Sequence, residues 1–186
     1  MKEKINIQNI VIIAMILIVA FSRLMIHIPN FSPITAMGLF GAAYFSKKYL
    51  AFVIPFLGLF LSNLFLNNVI YAHLYDGFVL FGPADLYVYS AFAIVILIGF
   101  GLLKKVNVVN VIGASLIASI VFFLITNFSS FLSLPFYPKN IGGLISAYTA
   151  GIPFFKYTIL GDLVFAGVLF GGYALIKNTY FSKSIA

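Results

Sequence analysis

Long apolar stretches follow one another along most of the chain, separated by short polar segments. A helix needs about 20 mainly apolar residues to cross the hydrocarbon core of a bilayer. The pattern therefore predicts an all-α integral membrane protein, a bundle of six transmembrane helices that forms a single domain over residues 1–186. The predicted spans are residues 7–24, 33–46, 50–70, 83–103, 108–128 and 155–176.

A further apolar stretch, residues 132–153, is rich in proline and glycine. Because these residues interrupt helices, the pattern favours an interfacial or re-entrant segment on the outer side over a seventh span. The charged N-terminus followed by an apolar run is also typical of a signal peptide. No small-residue cleavage site follows that run, so we expect a retained first helix.

The composition agrees with a lipid environment, since 63% of the residues are hydrophobic and only 8% are charged. A soluble domain has about 25% charged residues. The net charge of +7 does not indicate nucleic acid, because the basic residues stand as isolated doublets between apolar runs. Cysteine is absent, which excludes disulfides, a thiolate nucleophile and cysteine-held metals.

The lysines orient the predicted bundle. An N-terminus in the cytoplasm places most of the basic residues on the cytoplasmic side: Lys2, Lys4, Lys47, Lys48, Lys104, Lys105, Lys177 and Lys183. Arg23, Lys139 and Lys156 fall at or near the outer side. This asymmetry follows the positive-inside rule. It predicts a multi-pass protein of the cell's inner (plasma) membrane with both termini in the cytoplasm.

Polar side chains other than lysine concentrate in the outer half, where the connections 71–82 and 129–153 are also long. Functional groups cluster on loops held by a rigid scaffold. We expect a pocket that opens outward and is covered by these two connections. The alternative is that these residues are only solvated loops.

Asp162 and Arg23 are the two ionisable residues that are hardest to explain as solvated loop groups. An intramembrane carboxylate is costly and usually pairs or serves a function. Counted at about 1.5 Å per residue, the two side chains lie at similar depth, so a pair is compatible with helix geometry. It would form either the charged floor of a pocket or a clamp between the first and last spans. Thr158, one turn before Asp162, is expected to hydrogen-bond to it.

Asn30 and Asn127 occupy similar segments, each after a span that exits outward. Their amides either cap backbone at a helix break or hydrogen-bond a ligand. His27 and His73 could bind a metal with Asp76 and Asp85, but no metal-ligand spacing joins His27 to the others, so neither a metal nor a cofactor is predicted. Pairs of small residues allow close helix contact, by default inside the bundle: Gly38 with Ala42, Ala114 with Ala118, and Gly167 with Gly171.

Several short sequences together carry a resemblance to a known family. They are Arg23, Pro29-Asn30-Phe31, Pro33-Ile34, Ala36, Phe40-Gly41, Thr126-Asn127-Phe128, Tyr137-Pro138, Gly143-Leu144, Tyr148, Ile152-Pro153-Phe154-Phe155, Thr158, Gly161-Asp162 and Leu169-Phe170-Gly171. This set resembles a family of uncharacterised six-span bacterial membrane proteins similar to the substrate-binding S components of energy-coupling-factor (ECF) vitamin transporters.

The resemblance implies an S-component fold with an outward pocket, a vitamin-like micronutrient as ligand, and docking to a separate ECF energising module of a scaffold and two ATPases. The chain departs from the pattern in two places. S components typically offer an Ala-x-x-x-Ala face on the first helix, whereas Ala14 and Ala20 are six residues apart. Ser62-Asn63 stands where a Ser-Asp pair is expected, which removes a carboxylate. A solitary S-component-like protein is consistent with these departures.

The sequence thus predicts a membrane protein that binds or takes up a small molecule on its outer side. We expect the substrate to be bound by Arg23, Asn30, Asn127, Tyr148, Lys156 and Asp162. Arg23 and Lys156 would hold an anionic or carbonyl group, and the two asparagines would offer amide hydrogen bonds. The alternative is a non-transport membrane interaction or assembly subunit. No phosphate-binding loop and no nucleophile elbow occur, and an enzyme is not predicted.

Overall fold

The chain folds almost entirely into helices. The computed structural model describes residues 7–25, 28–82 and 84–181, and within these ranges it contains six helices, one short 3₁₀ turn (Ala72–Leu74) and no strand. The helices are α1 (Ile7–Ser22), α2 (Ile34–Tyr44), α3 (Lys48–Phe65, continued by a π-helical turn over Leu66–Ile70), α4 (Asp85–Leu102), α5 (Val108–Ser133) and α6 (Ile141–Ala166, continued through Gly167–Gly171, Gly172–Ile176 and Lys177–Phe181). The all-α prediction is confirmed.

Four of these helices are long and apolar enough to cross a membrane: α3 with its extension, α4, α5 and α6 with its extension. Large apolar side chains such as Leu97, Ile117 and Val168 are exposed on their outer surfaces. Such surfaces indicate a membrane protein. The other two helices are shorter, with 16 residues in α1 and 11 in α2. At 1.5 Å per residue, α2 covers only about half of a hydrocarbon core of about 30 Å.

Successive helices run in alternating directions. The turn between α2 and α3 and the turn between α4 and α5 lie at the same end, because the Lys48 ammonium is 5.6 Å from the centroid of the Phe100 ring. The C-terminal part of α6 reaches this end too, since the rings of Tyr44 and Tyr173 lie 4.4 Å apart. We call it the lysine end, after Lys47, Lys48, Lys104, Lys105 and Lys177. The opposite end is called the cavity end.

Helix α2 is the central helix of the bundle. Its first eight residues, from Ile34 to Gly41, are all buried. A helix that is surrounded on all sides needs no polar face, and α2 has none. Near its C-terminus, Phe40 packs edge-on against the rings of Tyr44, Phe170 and Tyr173. This aromatic cluster joins α2 to α6 at the lysine end.

Close glycine contacts tighten the same end. A Cβ atom added at Gly99 would lie 2.6 Å from the Cβ of Ala42, and one added at Gly38 would lie 2.7 Å from the Phe92 ring. Internal packing is therefore found for the Gly38 pair, and also for Ala114 and Ala118, which are buried. The expectation was wrong for the third pair. Gly167 and Gly171 are exposed, and an added Cβ would meet nothing within 4 Å.

The segment 132–153 differs most from the prediction. Helix α5 extends to Ser133 and α6 already begins at Ile141, so only residues 134–140 separate them. The Asn140 side chain caps α6 by accepting a hydrogen bond from the Gly143 amide at 2.9 Å. Pro153 lies inside α6, as membrane helices tolerate when neighbouring groups satisfy the freed backbone. Helices α5 and α6 thus take up most of the segment that we expected to be interfacial or re-entrant.

Candidate functional site

A cavity of about 530 Å³ occupies the cavity end of the bundle. It is lined by Arg23, Ile28, Pro29, Asn30, Phe31, Ser32, Ile34, Thr35, Asn63, Leu66, Asn67, Tyr71, Asp85, Val88, Phe122, Phe123, Thr126, Asn127, Thr158 and Asp162. They come from the residue that follows α1, the segment 28–33, the first turn of α2, the end of α3, the start of α4 and the middle of α5 and α6. The cavity therefore joins parts of the chain that are far apart in sequence.

The short central helix creates this cavity. Because α2 begins only at Ile34, the non-helical segment 28–33 takes the place of its missing half and forms one wall. Asn30 turns the segment with a φ of 62°, in the left-handed region that asparagine tolerates better than most residues. Gly161 lets the segment lie directly on α6, since an added Cβ would be 2.9 Å from the Ser32 amide nitrogen.

Arg23 lies at the head of the cavity and is held by α3. Its Nη1 donates to Ser62 Oγ at 2.6 Å and to Asn63 Oδ1 at 2.8 Å. A guanidinium has five N–H donors in a planar fork. The donors on its Nε and Nη2 atoms have no hydrogen-bond partner within the described part of the chain. Arg23 can therefore present these donors to a ligand.

Asp85 balances the charge of Arg23 through an intervening amide. Asn63 Nδ2 donates to Asp85 Oδ1 at 3.3 Å, and the Gly82 amide donates to Asp85 Oδ2 at 2.8 Å. The carboxylate sits at the first turn of α4, where the helix dipole favours negative charge. Arg23, Asn63 and Asp85 thus form a polar chain from α1 through α3 to α4.

Asp162 lies at the floor of the cavity and is almost completely buried, with 1% of its surface exposed. Thr35 Oγ1 donates to Asp162 Oδ1, and Ser119 Oγ lies within hydrogen-bonding distance of Asp162 Oδ2. These hydroxyls come from α2 and α5, so the carboxyl group links three helices. Thr158 lines the cavity nearby, but the expected bond from Thr158 to Asp162 is not formed.

The predicted Arg23–Asp162 pair is not formed. The hydrogen bonds of Arg23 go to α3 and those of Asp162 go to α2 and α5, so neutral side chains are the partners of both groups. Helix depth placed the two residues correctly at one cavity, but depth alone does not determine the direction of a side chain. The interpretation in which a direct Arg23–Asp162 ion pair clamps the first span to the last is therefore wrong.

Asn30 and Asn127 both line the cavity. Asn127 stands inside α5 and donates from Nδ2 to the Phe123 carbonyl one turn earlier at 2.9 Å. No helix break occurs there, so the capping interpretation does not apply to Asn127. Its Oδ1 lies against α6 at Gly151, where an added Cβ would be 2.2 Å away.

Tyr148 and Lys156 do not line the cavity. The Tyr148 hydroxyl donates to the Leu124 carbonyl at 2.9 Å on the surface between α5 and α6. Lys156 is exposed, with its ammonium 4.9 Å from the centroid of the Tyr157 ring. Six residues at about 100° each turn Lys156 about 120° away from Asp162 around the helix. Four of the six predicted site residues therefore lie at the cavity.

The site contains four polar residues that were not predicted from the sequence: Asn63, Asp85, Thr35 and Ser119. Asn63 and Asp85 are among the polar residues of the predicted outer half, yet no sequence spacing relates them to Arg23. Thr35 and Ser119 are hydroxyls inside apolar helices, where such side chains commonly bond to their own backbone. Only their position opposite Asp162 distinguishes them, and that position is a product of the fold.

A second cavity of about 250 Å³ adjoins the first and shares Asn67 and Asp85 with it. Its remaining lining is Tyr75, Gly82, Ala84, Ser129, Ser130, Ser133 and Leu134. The Ser129 hydroxyl is buried and has no hydrogen-bond partner among the described residues. Residues of the connection between α3 and α4 thus meet the C-terminal end of α5 here, beside the main cavity.

No group of three or more potential metal ligands occurs among the residues that the structure describes. His27, one of the candidates from the sequence, lies outside them. His73 lies in the 3₁₀ turn and is exposed. The candidate site is therefore a polar cavity with one guanidinium and two carboxyl groups.

Comparison with known proteins gives a family but no characterised relative. No curated protein and no solved structure matches the chain. A family model matches residues 3–184, which is nearly the whole chain. The chain therefore belongs to the family described as a family of unknown function, DUF6580.

Proposed function

We propose that this chain is a membrane protein that captures or takes up a small molecule in the cavity headed by Arg23. The observation that supports the proposal best is a guanidinium that lines an open cavity and has N–H donors without a hydrogen-bond partner in the described part of the chain. A cavity of about 530 Å³ falls within the range of small-molecule sites, about 300–1,000 Å³. An anionic or carbonyl group on the ligand would complete the hydrogen bonding of Arg23.

The other lining residues suggest where the rest of the ligand would lie. Phe31, Phe122 and Phe123 offer apolar ring surface, and Asn30, Asn67 and Asn127 offer amide groups. Sites for small molecules commonly combine an apolar lining with a few placed polar groups. A flat or partly apolar molecule with one acidic or carbonyl end would match this lining.

The ligand class and the coupling follow from the sequence resemblance to S components. That resemblance extends the proposal to a vitamin-like micronutrient and to docking on a separate ECF energising module, or to a solitary protein of the same type. The proposed topology has six membrane-inserted helices, the lysine end in the cytoplasm and the cavity end outside, in the bacterial inner membrane. Lysine placement supports it.

The proposal is tested by mass spectrometry of small molecules released on denaturing the gently purified protein. We expect one compound at close to one equivalent from the wild type and its loss in Arg23→Ala. Lys156→Ala serves as the matched control, because it removes a cation that does not line the cavity. Both variants should remain monodisperse.

No released compound from a monodisperse protein, across several growth media, would contradict the capture proposal. Co-purification of a protein partner in that case would favour the alternative of a membrane interaction subunit. The exposed Gly167 and Gly171 would then be the first surface to examine, since small residues four apart allow close helix contact.

A further inference from the structure

Among the residues that the structure describes, the carboxyl group of Asp162 has no cationic partner. It is almost completely buried, and its hydrogen bonds are to the hydroxyls of Thr35 and Ser119. An isolated ionised carboxylate in a dry interior is strongly unfavourable, and such a group usually binds a cation or a proton. The question is therefore which cation neutralises Asp162.

The described surroundings of Asp162, which do not include His27, contain few ionisable groups. Helix α5 has none, and α2 has only Tyr44, which lies at the lysine end. The segment 28–33, which packs on Gly161, has none either. Lys156 and Tyr157 on α6 lie away from the cavity, as Tyr148 does. Across the cavity are Arg23, Tyr71 and Asp85, and the charge of Arg23 is matched by Asp85 through Asn63.

The hydrogen bonds of Ser119 indicate which cation it is. Its Oγ lies 2.9 Å from the Ser115 carbonyl oxygen and 2.5 Å from Asp162 Oδ2. A serine hydroxyl has one hydrogen to donate. If Asp162 were ionised, the Ser119 hydroxyl could donate its hydrogen either to the Ser115 carbonyl or to Asp162 Oδ2. The other of these two close oxygen–oxygen contacts would then have no hydrogen between its atoms.

A proton on Asp162 removes this conflict. The carboxyl group then donates from Oδ2 to Ser119 Oγ, and Ser119 donates to the Ser115 carbonyl. Thr35 donates to the carbonyl-like Oδ1. Every close contact then has one hydrogen and one acceptor.

We propose that Asp162, with Ser119 and Thr35, forms a proton-binding site at the floor of the cavity and is occupied by a proton at neutral pH. The site does not depend on the proposed ligand. With Asp162 protonated, the charged side chains that face the cavity are Arg23 and Asp85. A cationic group that enters the cavity could displace the proton from Asp162. Sodium is the competing monovalent cation for the same oxygen atoms.

Infrared spectroscopy of the full-length protein in lipid bilayers tests the proposal directly. A protonated carboxylic acid gives a C=O stretching band that an ionised carboxylate lacks. We expect such a band at neutral pH in wild type, shifted to lower wavenumber when aspartate carries ¹³C at Cγ. Asp162→Asn should remove the band. Asp85→Asn, which removes the other carboxyl group of the cavity, should leave it.

A second variant keeps the test decisive if Asp162→Asn does not fold. Ser119→Ala removes the acceptor of the carboxyl proton, so the band should persist and move to higher wavenumber. Replacing potassium chloride by sodium chloride should leave the wild-type band unchanged. The absence of an acid band, its survival in Asp162→Asn, no shift in Ser119→Ala, or its loss on adding sodium would each overturn the proton assignment.

Discussion

The two ends of the bundle are joined by different kinds of contact. At the lysine end, helices meet through buried rings around Phe40 and through a glycine contact between Gly99 and Ala42. At the cavity end, they meet through the polar chains that start at Arg23 and at Asp162, around an open space. Dense apolar packing tolerates little change in volume, whereas polar groups around a cavity can exchange partners. We therefore expect substitutions at the lysine end to lower stability, and substitutions at the cavity end to lower ligand binding.

The largest expected effect is on stability, at the lysine end. Phe40→Ala should lower the free energy of unfolding by about 3 kcal/mol, because it removes a fully buried ring and leaves a cavity in the aromatic cluster. Unfolding by denaturant in a mild detergent measures it. Phe136→Ala, at a ring that is 66% exposed, should change the same quantity by less than about 0.5 kcal/mol. If both variants lost the same free energy of unfolding, packing in the aromatic cluster around Phe40 would not stabilise the lysine end as described.

The next effect concerns the wall between the cavity and α6. Gly161→Ala should lower the free energy of unfolding by about 2 kcal/mol, because the new Cβ would clash with the backbone of segment 28–33. Gly167→Ala is the matched control on the same helix, since its Cβ would meet nothing within 4 Å. Thermal unfolding of both variants in the same detergent gives the comparison. If Gly161→Ala were as stable as the control, segment 28–33 would not lie on α6 as described.

A smaller effect is expected from Asn63, which holds Arg23 in place. Asn63→Ala should weaken binding of the co-purified compound about tenfold, because Arg23 loses a hydrogen bond that orients it. The free energy of unfolding should fall by less than it does in Phe40→Ala. Binding of the purified compound to the emptied protein, measured by titration calorimetry, provides the readout. Unchanged affinity would place the ligand away from Arg23.

The smallest effect tests the correction to the predicted site. Tyr148→Phe and Lys156→Ala should each leave the affinity for that compound within about twofold of wild type, since neither side chain lines the cavity. The same calorimetric titration applies. A tenfold loss in either variant would mean that the ligand extends beyond the cavity, over the outer surface between α5 and α6.

The sequence predicted the helices well and the contacts of the site poorly. Apolar length identifies both ends of α3 and α4 to within two residues and the start of α5, whereas α5 continues to Ser133, past the predicted end at residue 128. The start of α6 could not be predicted, since Pro153 is compatible with a helix only when the bundle satisfies the freed backbone. A charge in an apolar context identified Arg23 and Asp162. The groups that hold them, Ser62, Asn63, Thr35 and Ser119, depend on helix rotation, which one sequence does not determine.

The measurement that tests the account most directly is labelling with a membrane-impermeant maleimide in intact cells. The chain has no cysteine, so single-cysteine variants have no background reaction. Asn30→Cys, exposed at the rim of the cavity, should be labelled from outside. Lys104→Cys, exposed at the lysine end, should be labelled only after the cells are opened. Labelling of Lys104→Cys but not Asn30→Cys in intact cells would place the cavity on the cytoplasmic side and contradict an outward-facing capture site.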